Sequence, residues 1–207
     1  MIGQHSGLLL VVSGPAGVGK GTIDTALIQR HPTIKMSVSA TTRAPRPGEV
    51  DGVHYFFKTE AEFRAMIEKN EFLEYMHVFG MNYYGTPRSF VVDELKKGNH
   101  VILEIDVEGA FKVKEAFPEA IMVFIAPPSM EVLTARLVGR GTETPEAIAR
   151  RLSTAKKELL AMERYDYVVL NDEVETAVAR VEHIIEAELC RVANNKEQIT
   201  NLIGGID

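Results

Sequence analysis

The sequence predicts an α/β fold, a parallel sheet with helices on both faces and one inserted lobe. Two observations carry that prediction. Continuously apolar runs recur at Leu8–Val12, Val101–Ile105, Ile121–Ala126 and Tyr167–Leu170, and a strand apolar at every position is one buried on both faces. Helical patterns separate these runs, so successive strands are joined by crossovers and run parallel.

Taken in order, Leu8–Val12 is the first buried strand. A glycine-rich turn follows and opens a helix near Gly19, which ends about Arg30, before Pro32. A basic, proline-containing loop, TTRAPRPGEVDGVHYFF, comes next, flanked by strand-like pieces at Lys35–Ser39 and Tyr55–Phe57. Thr59-x-x-Glu62 is a capping box, and Phe63, Met66 and Ile67 supply the apolar stripe of the helix it starts. Thr86 before Pro87 reads as a further helix start, closed near Gly98. The second buried strand runs straight into Asp106, and the third stops at Pro127 and Pro128. Thr144-Pro145-Glu146 begins a long helix to about Arg164, and Tyr167–Leu170 is the fourth core strand. Val174, Ala177, Val178, Val181, Ile184, Ile185 and Leu189 form the buried face of a last helix. The stretch from about Val38 to Gly85 breaks this rhythm and reads as the inserted lobe. The polar tail after Asn194 is expected to fray.

A chain of 207 residues buries one good core, so a single domain is expected. The net charge of −6 disfavours a long nucleic-acid polymer as partner, while a small anionic ligand remains open where arginines gather. Cys190 is the sole cysteine, which excludes an internal disulfide framework and fits a reducing cytosol; it reads as a packed thiol of the last helix. Five apolar residues, Leu8–Val12, fall far short of a signal segment or a membrane span, so a soluble cytoplasmic protein is expected. The six histidines show no metal-ligand spacing, and nothing indicates an oligomeric state.

SGPAGVGKGT (Ser13–Thr22) has the G-x-x-x-x-G-K spacing of a phosphate-binding loop from Gly14 to Lys20, between a buried strand and a helix. Such a turn aims backbone N–H groups at one spot, and the helix N-terminus adds roughly half a positive charge. The cradle comprises Gly14, Pro15, Ala16, Gly17, Val18, Gly19, Lys20, Gly21 and Thr22, with Lys20 against the β- and γ-phosphates of a nucleotide. Gly21 stands where such loops usually place a serine or threonine hydroxyl for a metal. Glycine keeps the amide, so the phosphate cradle is intact, and what is lost is one oxygen ligand on Mg²⁺, an ion that retains several waters anyway. Mg²⁺ is therefore expected to be held by phosphates and waters, with Asp106 reaching it through water. Thr22 either contributes or packs.

The segments SVSATTRAPRPGEVDGVHYFF (Ser37–Phe57), EFLEY (Glu71–Tyr75), NYYGTP (Asn82–Pro87), LEIDVEGA (Leu103–Ala110), IAPPS (Ile125–Ser129) and RLVGRGTET (Arg136–Thr144) resemble guanylate kinases. They stand in that family's order and cover nearly the whole chain. The resemblance implies the P-loop nucleoside-monophosphate-kinase fold, with a core at 1–36, 86–128 and 153–207, a GMP-binding lobe at 37–85 and a helical lid at 129–152. It implies ATP-dependent phosphorylation of GMP to GDP by direct in-line transfer, with Mg²⁺, in purine nucleotide metabolism; dGMP is left open as an acceptor.

By the same resemblance Arg43 and Arg46 grip the GMP phosphate, assisted by the Tyr55 and Tyr84 hydroxyls; paired guanidiniums suit that task. Glu74 is the carboxylate that reads guanine, with Ser39 and Thr86 near its O6. Guanine offers two adjacent donors on its pairing edge and a carboxylate only accepts, so adenine would strand a buried group. Thr86 could equally cap a helix. Glu104 and Asp106 alternate along a strand and so point to one side of its carboxyl end, where ligands lie in open α/β sheets. Glu104 is assigned to the acceptor nucleotide and Asp106 to both acceptor and Mg²⁺, with an ion pair or helix cap as the alternative. On the lid, Arg140 and Arg151 are implied to contact phosphates, Arg136 to lie against the adenine of ATP and Asn171 beside it; Arg150 reads as solvated. Lys20, Arg43, Arg140, Arg151 and Asp106 form the expected catalytic set. Phosphoryl transfer asks a protein mainly for positioning and charge neutralisation, which arginines on a closing segment supply.

Two other classes fit these motifs less well. Guanylate-kinase-like scaffold domains bind phosphorylated peptides and have eroded loops, whereas this chain keeps Lys20. The GKGT ending resembles adenylate kinases, but the Arg43–Arg46 loop and NYYGTP do not.

Overall fold

The computed structural model describes residues 7–78, 80–139 and 144–204. The core is a parallel sheet of five strands in the order β2-β7-β1-β8-β9. These are β1 (Leu9–Ser13), β2 (Ile34–Met36), β7 (His100–Glu104), β8 (Ile121–Ala126) and β9 (Tyr167–Leu170). The apolar runs fold as the sequence predicts because β1 and β8 bury every residue. Alternation along β1 divides two cores. Leu8, Leu10 and Val12 pack with Ile23 and Leu27 of α1 (Lys20–Arg30), Leu133 of α5 (Met130–Gly139), Ala155 of α6 (Pro145–Leu160) and Val178 of α7 (Val174–Leu189). Leu9 and Val11 pack the other way, with Val91 and Leu95 of α3 (Arg88–Lys96) and Ala110 and Val113 of α4 (Val107–Ala116). Helices thus cover both faces, as the fold class requires.

A second, four-stranded sheet in the order β4-β3-β6-β5 occupies the stretch read as an insertion. It contains β3 (Ala40–Thr41), β4 (Phe56–Phe57), β5 (Phe72–Val78) and β6 (Asn82–Pro87), with α2 (Glu60–Glu68) beside them. Phe63 of α2 stacks on Phe72 and Tyr83, at 4.4 and 5.3 Å between ring centroids, and closes this small core. The capping box at Thr59 and Glu62 is present in full.

Several local expectations fail for identifiable reasons. The β5–β6 hairpin has no clean polar–apolar alternation, since Glu74 is buried and Tyr75 exposed, so its period was not readable. Thr86 belongs to β6 and caps nothing. Pro87 occupies the cap of α3, and the Thr86 hydroxyl donates to Glu74 instead. β9 is an edge strand, with Val168 and Leu170 exposed. The tail forms α8 (Lys196–Ile203), and Asn194 and Asn195 donate to the carbonyls of Glu188 and Leu189 where α7 ends. Cys190 is the exposed C-cap of α7, not a packed thiol. Among the described residues no helix is long and apolar enough to cross a membrane.

Candidate active site

The site lies at the carboxyl ends of β1 and β7, where an open α/β sheet leaves a crevice. On one side is the turn from β1 into α1. Gly14, Gly17 and Gly19 take φ of 147°, 86° and 103°, which other residues rarely adopt. A side chain at Gly14 would also collide with backbone, since its Cβ would stand 2.2 Å from the Ile125 carbonyl oxygen. Pro15 and Val18 are buried and anchor the loop, while Ala16, Gly17, Gly19, Lys20, Gly21 and Thr22 line a cavity with Glu104. Asn171, also buried, donates from Nδ2 to the Val18 carbonyl at 2.7 Å. Arg136 donates to the same carbonyl at 3.1 Å and to the Asn171 carbonyl at 2.9 Å. Both residues thus brace the loop from behind, in addition to whatever they offer a base. Lys20 Nζ donates to the Gly14 carbonyl at 2.7 Å and lies 3.9 Å from Glu104 Oε1.

On the other side is a cavity lined by Ser39, Tyr55, Glu74, Tyr84, Glu104 and Asp106, together with Met76, Val78, Gly85, Ile105 and Gly109. Ser39 stands just before β3 and Tyr55 just before β4, Glu74 lies on β5 and Tyr84 on β6, and the second sheet brings all four to the end of β7. Glu74 is 8% exposed and accepts from the Thr86 hydroxyl at 2.9 Å. Burial pushes its carboxyl up to about 7; the Thr86 bond pulls it down and the charge of Asp106 raises it further. Tyr55 and Tyr84 meet edge to face at 6.0 Å, and the Arg43 guanidinium lies over Tyr55 at 5.4 Å. Arg43 grips Glu49 with two bonds of 2.9 and 2.8 Å, a contact the sequence did not suggest. That bond, and the Arg46 backbone N–H at 2.7 Å, hold the Glu49 carboxyl down at about 2. The Arg46 side chain is exposed.

Asp106 lies beyond the end of β7 and serves as the cap of α4, accepting from the Gly109 N–H at 2.7 Å. It combines the cap alternative with a place in the cavity lining. Arg151 is exposed on α6, and Arg140 lies outside the described residues. Two further carboxyls, which no sequence motif marks, approach Lys20. Glu158 of α6 is raised by burial first, with Lys20 pulling it down and Asp106 raising it. Asp24 of α1 is fully buried. Its signal was present in the sequence, as a charged residue on the face that Ile23 and Leu27 bury.

The described residues contain no cluster of three or more His, Cys, Asp or Glu side chains able to hold a metal ion.

A family model described as guanylate kinase matches residues 6–188. A guanylate kinase of Caldanaerobacter subterraneus subsp. tengcongensis is 55% identical over 94% of this chain and 94% of its own length. That of Halalkalibacterium halodurans is 56% identical over 91% of this chain and 92% of its own. Among solved structures, the guanylate kinase of Anaplasma phagocytophilum superposes with a TM-score of 0.77 at 33% identity, covering 99% of this chain and 98% of that one. With this coverage, and with a glycine loop and a side-chain-lined cavity meeting at one strand end, the chain belongs to the guanylate kinase family.

Proposed function

We propose that the protein phosphorylates GMP at the expense of MgATP, giving GDP and ADP by direct in-line transfer. One observation carries the reading: Glu104 lines both cavities, so the glycine loop and the Glu74 cavity open on either side of a single carboxylate. A γ-phosphate held by the loop and a phosphate held near Tyr55, Tyr84 and Arg43 would face each other across it.

The loop amides and Lys20 bind the donor phosphates, and Lys20 releases the Gly14 carbonyl in favour of phosphate oxygen. Glu74 accepts from guanine N1–H and N2–H, while Thr86 keeps the carboxylate oriented. Ser39, close by in the same cavity, offers a hydroxyl to the base. Arg43, with Arg46, neutralises the acceptor phosphate, and exchanging Glu49 for that phosphate frees the Arg43 fork. Bound with the nucleotide, Mg²⁺ would neutralise charge on the transferring group. Arg140 and Arg151 are assigned to that same charge from the lid, Arg136 and Asn171 to the adenine side, and Asp106 to the water around the cation. The lobe and lid boundaries at 37–85 and 129–152 belong to this reading, as does a role in purine nucleotide metabolism.

The test is release of ADP from MgATP in the presence of GMP, AMP, CMP or UMP. Turnover with GMP and not with the others is expected. Turnover with AMP would overturn the role of Glu74, and none with any acceptor would remove the kinase reading.

A further inference from the structure

Asp24 lies one helical turn beyond Lys20, facing the interior. Its exposure is 0%, and among the described residues neither of its oxygens receives an N–H or O–H donor. Buried carboxyls are normally satisfied, so such an orphan calls for a cause. The charged groups that face it are Glu104, across from β7, and Lys20, on its own helix. The Glu104 carboxyl is close enough for a hydrogen bond. Two carboxylates cannot bond one another, since each only accepts; the contact requires a proton on one of them. Burial first, then the charge of Glu104, push the Asp24 carboxyl well above the usual carboxylate range, with Lys20 pulling the other way. Asp24 is 0% exposed and the Glu104 side chain 36%, so desolvation favours the neutral form on the buried partner and leaves the charge on the one that reaches water.

We propose that Asp24 is a positioning residue for phosphoryl transfer: as a neutral acid beneath the loop it donates a hydrogen bond to Glu104 and fixes that carboxylate at the wall shared by the two cavities. The consequence for the reaction rests on the kinase reading above. Glu104 needs such a tether. It is the last residue of β7, its side chain is 36% exposed, and the Lys20 ammonium at 3.9 Å lies beyond hydrogen-bond length. Gly21 belongs to the same arrangement. A Cβ there would meet Glu104 Oε2 at 3.5 Å, so the carboxylate lies directly over the start of α1, beside the position where related loops carry a hydroxyl.

The test uses the full chain and two variants. Asp24→Asn keeps an N–H donor toward Glu104, and Asp24→Leu fills similar space with none. The Asn variant should retain at least about a third of the parental kcat, whereas the Leu variant should lose about tenfold or more in kcat, with ATP affinity from calorimetric titration unchanged. Equal rates for the two variants would overturn the proposal, because packing alone would then account for Asp24. A readout independent of turnover is the infrared difference spectrum of parent minus Asp24→Asn at pH 7. A protonated-carboxyl C=O band is expected, and its absence would overturn the proposal even in a protein inactive toward GMP. An inactive parent that shows the band would sink the kinase reading and leave the Asp24–Glu104 bond standing.

Discussion

The loop between β1 and α1 and the cavity beneath β5 and β6 face the same carboxylate, yet they are built by opposite means. The loop is backbone. Three glycines at positive φ set its path, and it spans a few consecutive residues. The cavity is side chain. Ser39, Tyr55, Glu74 and Tyr84 are scattered along the sequence and converge only once the second sheet has formed. A backbone site is therefore sensitive to the conformation each residue must adopt and indifferent to most side-chain chemistry. A side-chain site tolerates small shifts of backbone and is sensitive to the polarity of every lining group.

The largest effect that tests this contrast is at Gly14. Alanine there would have to hold φ near 147° and place its Cβ 2.2 Å from the carbonyl oxygen of Ile125. Ile125 belongs to β8, which pairs on both sides, so the obstacle is a strand and cannot yield as a side-chain tip would. Backbone strain and steric overlap together should cost about 3 kcal/mol or more in urea unfolding. A loss under about 1 kcal/mol would show that the loop relaxes freely, and the backbone account would fall.

The second effect belongs to the side-chain site and is read in pH. Burial raises the Glu74 carboxyl to about 7, so below that pH it is a neutral acid with its own O–H donor. Guanine also presents donors on its pairing edge, and the two then oppose one another. KM for GMP should therefore fall as pH rises from about 6 to 8 and level off once Glu74 is ionised, by up to tenfold for each unit below its pKa. Glu74→Gln should abolish that slope, because the amide does not titrate. It should also reduce the preference for GMP over AMP by about 10²-fold, as the amide accepts at one atom only. Thr86 can still donate to the Gln oxygen, so the variant should stay folded. A pH slope that persists in Glu74→Gln would assign the titration to another group.

The same contrast explains how much of the molecule was legible in the sequence. The β1–loop–α1 unit was readable in full, since strand, glycine turn and lysine spacing are local and each has a backbone cause. The capping box at Thr59 was readable for the same reason. Glu74 is legible only through family resemblance, because nothing near residue 74 marks it as buried. Its partner Thr86 has the local pattern of a helix start, and its actual bond reaches back across the hairpin. The position of Asp24 on the apolar face of α1 is a local signal, but it does not say what the carboxyl faces. What it faces, Glu104, arrives from a strand far along the chain. Local causes leave local traces, and convergence of side chains leaves almost none.

The smallest effect is the sharpest form of the comparison, because it repeats the substitution made at Gly14 seven residues further along the same turn. Gly21 lies within α1, its φ is not positive, and a Cβ there would meet only Glu104 Oε2, at 3.5 Å, an ordinary contact. Glycine is a poor helix former because it loses more backbone freedom on folding than alanine does. Gly21→Ala should therefore raise stability by about 0.5 kcal/mol in urea unfolding, opposite in sign to Gly14→Ala. If alanine at 21 destabilises instead, the Glu104 carboxylate depends on the open space over Gly21, and a methyl group there disturbs it even at ordinary contact distance. The start of the helix would then belong with the side-chain site and not with the loop, and the division between the two would move to lie between Lys20 and Gly21.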